Sequence, residues 1–226
     1  MRQRPLGFSR CFVEVLVKLT GAPGLASDPS VAKLAEHADE FVASFAYVDP
    51  RAGLLHHDDQ GTYDRSHELT VRFDPVKIDA VLASLGVAIW RGPRPLLTPV
   101  ILVRDRDPTP FLLSARVARG EAMRQAIVRS AAECGIGVHF PTESELAEWA
   151  VGTVGFPAPL GDAAAGQLRV VGTLSWNVRA MGWVAEWRAP LNGAEHGWGI
   201  SGVGFDEALA TLVRGAVMLA AGTGIP

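Results

Sequence analysis

A chain of 226 residues with 48% hydrophobic and 20% charged side chains has a globular composition, long enough for one large domain or two small ones. Its formal net charge of -3, without a local basic patch, excludes generic nucleic-acid binding as an expectation. No stretch approaches the roughly 18 to 20 consecutive apolar residues of a membrane helix. The basic start at Met1 runs into a helix bearing Glu14 and Lys18, which makes a poor secretory signal.

Phe8, Phe12, Val15, Leu16 and Leu19 follow helical spacing, and Gly21 ends the run. Asp28 then stands as an N-cap before Pro29. Val31, Leu34, Ala35, Ala38, Phe41, Val42 and Phe45 form one apolar stripe, which predicts a second helix over that whole span. Leu69, Val71 and Phe73 alternate with Thr70 and Arg72 as a half-buried strand, and Asp74-Pro75 opens a helix to Gly86. The first half, 1–95, thus reads α-α-β-α. Its strand needs a partner. The candidates are a hairpin arm at 52–56, the second half, another chain, or a strand upstream of Met1. The last is expected, because residues 2–6 have no element of their own.

Beyond a Pro-rich stretch at 92–95 lies the second half, 96–226. Residues 100–103 read as a buried strand, which 111–113 could continue after a charged turn at 104–107. A helix with Met123, Ile127 and Ala131 stops at Gly135. A short strand at 138–140 precedes the capping box of Thr142 and Glu145, which opens a helix with Leu146 and Trp149. Residues 151–166 read as a linker. Strands near 167–176, 182–188 and 194–201 follow, then a helix with Leu209, Leu212, Val213, Ala216 and Leu219 on one side. The expected class is α/β (α+β): two small halves, the second a β-α-β-α-β-β-β-α mixed sheet covered by helices.

Asn192-Gly193 signals a two-residue type I′ hairpin, which sets the register. Counting outward pairs Leu191 with Ala194, Arg188 with Gly197, and Trp187 with Trp198. Trp183, Ala185 and Trp187 then share one face, and Trp198 joins it. This aromatic face is either core beneath the last helix, the favoured reading, or a platform for sugar or peptide ligands.

Val15-Leu-Val-Lys-Leu-Thr-Gly21, Asp59-Gln-Gly-Thr-Tyr-Asp-Arg65 and Leu69-Thr-Val-Arg-Phe-Asp-Pro-Val-Lys-Ile-Asp79 resemble the proteobacterial family called domain of unknown function 2066. That resemblance spans most of the chain. It implies a periplasmic or envelope-associated protein with an export signal, a strand before the first helix and no established activity. This chain shows neither the signal nor that strand. The order of elements after Pro99 is similar to the small N-terminal α/β domain of periplasmic TolB-type proteins, an analogy of fold.

The long connection at 47–66 is the best candidate site. It carries His56, His57, Asp58, Asp59, Gln60, Asp64 and Arg65. Neighbouring side chains on an extended chain point apart, so no metal set is assigned there. A polar surface loop is the favoured reading; the alternatives are a recognition loop, in which Gly61 supplies a turn and Asp64 pairs with Arg65 or a backbone amide, and a metal site. An enzyme would need several of these residues to converge with His37 or His139.

Other chemistry has structural explanations. Ser175 lies inside a strand between Leu174 and Trp176, away from any G-x-S-x-G elbow. Cys11 and Cys134 sit in amphipathic helices as small hydrophobes, and nothing near Cys134 and His139 points to a lowered thiol pKa. Gly202-Val-Gly204 is a strand-to-helix turn without the third glycine and the following lysine of a phosphate loop. Glu143 and Glu145 serve helix capping. The expected function is a non-catalytic binding or assembly module of the bacterial cell envelope, with no cofactor and with an unidentified protein or envelope component as partner. The alternatives are a metal-dependent or hydrolytic enzyme using 47–66, or a small-molecule or anion sensor using helix N-termini.

Overall fold

The protein is described from a computed structural model at residues 4–48, 68–116, 118–156 and 163–224. It is an α/β protein of two compact units: Met1–Leu16 with Gly24–Ala88, and Val17–Pro23 with Ile89–Pro226.

Helix α1 (Arg4–Thr20), which belongs to the first unit as far as Leu16, begins earlier than its apolar spacing predicts, so residues 4–6, expected to lack an element, supply its first turn. Phe12 is fully buried, stacked on Phe41 at 4.9 Å and meeting the edge of Phe73 at 5.9 Å. Helix α2 (Pro29–Ala35) starts at Asp28, whose carboxylate accepts from the Ser30 and Val31 amides. It stops ten residues short of the predicted stripe. A 3-10 turn (Ala38–Phe41) leads into strand β1 (Val42–Val48), so Phe45 is a strand residue and not a helical one.

The correction has a physical cause. Phe41, Val42 and Phe45 satisfy a helical stripe, yet the segment is rich in aromatic and β-branched residues that suit a pleated surface. Ring contacts settle it: the Phe45 ring meets that of Phe8 at 5.2 Å. Strand β1 pairs antiparallel with β2 (Glu68–Phe73), Tyr47 opposite Leu69 and Phe45 opposite Val71. Among the described residues β1 is the partner β2 lacked in the sequence, and the pairing occupies one edge of β2. Helix α3 (Pro75–Leu85) starts at Asp74 and ends at Gly86, in the left-handed region that glycine adopts without steric cost.

The second unit is built on a five-stranded sheet. Its strands are β3 (Leu96–Arg104), β4 (Phe111–Leu112), β5 (Gln167–Asn177), β6 (Gly182–Leu191) and β7 (Ala194–Val203), in the order β4-β3-β5-β6-β7. Strands β3 and β5 run parallel and the other pairs are antiparallel. Residues 97–103 are buried without alternation, as a strand covered on both faces must be. Between β4 and β5 lie helices α4 (Glu121–Cys134) and α5 (Glu143–Glu148). Leu146 and Val151 pack with Val100 and Val171 on one side of the sheet. Helix α6 (Phe205–Ala221) closes the unit, lying against α4 and across β5, β6 and β7.

Residues 111–112 form a separate antiparallel strand, Phe111 opposite Val103. The expected strand at 138–140 shrinks to a single parallel bridge between Leu97 and Val138. Pro141 and the Thr142 cap follow at once and turn the chain into α5, so the ladder has no room to extend. The element order is therefore β-β-α-α-β-β-β-α. At the other end of the sheet, Asn192 (φ 53°) and Gly193 (φ 76°) form the primed turn, and Leu191–Ala194, Arg188–Gly197 and Trp187–Trp198 pair in the predicted register.

Candidate functional site

A groove in the second unit is assembled from two turns of the sheet. The turn after β3 has its own scaffold: Asp105 accepts from the Asp107 amide at 2.7 Å, and Asp107 from the Thr109 amide at 2.8 Å. Short carboxylates readily close such turns, and the prolines at 108 and 110 restrict the backbone further. Arg119, just before α4, clamps the turn. It donates to Asp105 at 2.6 Å and to the Thr109 carbonyl at 3.0 Å, and its Nη1 lies 3.6 Å from Asp107. Its guanidinium rests 4.5 Å over the Phe111 ring.

The opposite wall comes from the β5–β6 hairpin. Trp176 and Trp183 face one another in register, ring centroids 5.9 Å apart and nearly perpendicular at 78°. Phe205, at the start of α6, continues the aromatic row 6.4 Å from Trp183. Arg106 lays its guanidinium 4.3 Å over the Trp176 ring. Asp105, Arg106, Asp107, Arg119, Trp176 and Trp183 thereby line an open groove of about 360 Å³. The Thr109 amide above all, helped by the Arg119 charge, holds the Asp107 carboxyl below the ordinary carboxylate range.

Of the residues singled out in the sequence, Trp183 lines this groove. Trp187 is 1% exposed in the core, its indole N–H without a hydrogen-bond partner among the described residues. Trp198 is half-buried and donates to the Thr211 carbonyl of α6 at 3.0 Å. His56, His57, Asp58, Asp59, Gln60, Asp64 and Arg65 lie outside the described residues. His37 is exposed 3.9 Å from Glu40, and His139 sits 2.9 Å from Glu145 beside the Thr142 capping box. Burial pushes the Cys134 thiol up to about 11. Gly204 is the N-cap of α6, as a strand-to-helix turn requires.

At the helix N-termini, first-turn carboxylates pair with arginines: Glu121 with Arg124 in α4, and Asp206 with Arg129 and Glu207 with Arg214 in α6. Among the described residues no cluster of three or more His, Cys, Asp or Glu could hold a metal ion, and no helix is long and apolar enough to cross a membrane.

Arg106, Asp105, Asp107, Arg119 and Trp176 form no motif in the sequence. The run Asp105-Arg-Asp-Pro-Thr-Pro110 was legible only as a charged turn. Its use depends on a hairpin about seventy residues later in the chain.

Comparison with known proteins adds little chemistry. No curated protein matches the chain. A solved structure titled "Crystal structure of uncharacterized protein" aligns at 13% identity and a TM-score of 0.21, covering 57% of this chain and 89% of that one. Residues 1–91 match a family model described as "Domain of unknown function (DUF8605)", so this part of the chain is similar to an uncharacterised domain, and the match does not extend to domain of unknown function 2066.

Proposed function

We propose that the chain is a non-catalytic binding or assembly module of the bacterial cell envelope, with the groove between Arg106 and Trp183 as its recognition surface. The observation that carries this reading is the contrast between the two groove arginines. Arg119 directs its fork into its own loop and builds the wall. Arg106 is exposed, supported on the face of Trp176, and makes no ion pair among the described residues. A guanidinium held on an indole keeps planar donors available for a ligand. Nucleophilic or acid–base catalysis would call for a nucleophile and a base within reach of one another. Here both carboxylates are bound to Arg119 and to turn amides. The envelope setting rests on the sequence resemblance of 15–21, 59–65 and 69–79 to domain of unknown function 2066 alone.

A fragment screen followed through the indole N–H signals tests it. Bound fragments are expected to move the Trp176 and Trp183 signals and leave Trp187 in place. Turnover of an ester, phosphoester or glycoside substrate that is lost in Asp105→Asn or Asp107→Asn would overturn the non-catalytic reading.

A further inference from the structure

The tip of the β5–β6 hairpin presents what the groove does not use. Val178 is 79% exposed and Met181 is 85% exposed, the first and last residues of a four-residue turn. The turn is a built one. Asn177 accepts from the Arg179 and Ala180 amides at 2.9 and 3.1 Å, and Met181 donates to the Val178 carbonyl at 3.2 Å. Met181 holds a φ of 51°, in the left-handed region where Asn or Gly is the ordinary choice. Stability therefore gives no reason for a long apolar side chain at that position.

We infer that this tip is a docking surface for an anionic lipid membrane. Three observations combine. The apolar pair projects from a convex turn, so a protein partner would have to supply a fitted cavity, whereas acyl chains yield around it. Trp176 and Trp183 stand two residues behind the pair on both strands, which is about 6 to 7 Å along a β-strand. With the tip buried about 5 to 10 Å, at the acyl boundary, both indoles lie at the headgroup level that tryptophan favours.

Arg106 and Arg179 flank the tip, exposed and without ion pairs among the described residues. The nearby acids, Asp105 and Asp107, pair with Arg119, so with Arg106 and Arg179 arginines outnumber carboxylates around the tip, a balance that complements anionic headgroups. The tip shares Trp176, Trp183 and Arg106 with the groove, so the variants that test it are placed at the tip, outside the groove lining.

The test is flotation of the full chain with vesicles of equimolar phosphatidylglycerol and phosphatidylcholine, against phosphatidylcholine alone. Binding is expected to the anionic vesicles and to weaken with salt. The double variant Val178→Ser with Met181→Asn lies outside the groove lining, and Asn tolerates the left-handed backbone, so an unchanged melting curve reports an intact fold. It should bind about tenfold or more weakly, as expected for loss of two buried apolar side chains. Arg179→Gln should cost about fivefold.

Absence of binding to anionic vesicles at low salt, or equal binding by the double variant, overturns the proposal. Fragments that still move the Trp176 and Trp183 signals in the double variant separate this outcome from a failure of the groove reading.

Discussion

Gly215 of α6 lies flat against the indole of Trp198: a Cβ built there would overlap Cε2 and lie 2.8 Å from Cζ2. The missing side chain lets the helix approach close enough for the Trp198 N–H to reach the Thr211 carbonyl. Gly215→Ala gains about 1 kcal/mol of helix propensity. Overpacking is expected to outweigh that gain, with a net loss of about 1 to 2 kcal/mol. Thermal or urea unfolding measures it, and a variant more stable than the parent contradicts the close approach.

Asp28 and Asp74 cap α2 and α3 from one carboxylate oxygen each. Asp28→Ala or Asp74→Ala should cost about 0.5 to 2 kcal/mol, and Asn should retain most of the capping. Urea denaturation of the Ala and Asn pair at each site checks this. Equal losses for Ala and Asn would show that the cap hydrogen bond, which Asn keeps, is not what the aspartate contributes.

The Glu145 carboxyl is held down at about 2, first by the Thr142 amide, then by His139 and the Thr142 hydroxyl. A depressed folded-state value stabilises the fold fully above the unfolded carboxylate value of 4.5, and that contribution is lost as pH falls towards 2. Carbon-detected titration of the Glu145 carboxyl should show a midpoint well below that of an unstructured glutamate. Loss of the capping box in Thr142→Ala should raise it.

Cys134 is 3% exposed and its thiol is raised to about 11, mainly by burial. Since the thiolate is the reactive form, alkylation of Cys134 near neutral pH should be very slow in the folded protein and rapid in denaturant. Mass spectrometry of the labelled peptide gives both rates. Comparable rates would mean that α4 opens far more readily than its packing implies.

Arg119 ties Asp105, Asp107 and Thr109 into one loop. Its side chain is about one-third exposed, 33%, so Arg119→Ala is expected to cost only about 1 kcal/mol. Amide exchange at Asp107 and Thr109 should nonetheless accelerate. Unchanged exchange there would show that the turn holds itself without the clamp.

Much of the architecture was decided by neighbours in sequence. Asp28-Pro29, Asp74-Pro75 and the Thr142–Glu145 box act within one helical turn, and Asn192-Gly193 sets a register by backbone handedness alone, so each was legible before any contact was known. Tertiary structure decided the rest where local signals were degenerate. Val42 and Phe45 fit a helix or a strand equally well, and the Phe8 ring against Phe45 goes with the strand, while Phe41, stacked on Phe12, ends the 3-10 turn before it. The groove was illegible for a related reason. Cation–π and edge-to-face contacts carry no sequence period, so Arg106 and Trp176 become partners only when the β3–β5 pairing brings two distant turns to the same end of the sheet.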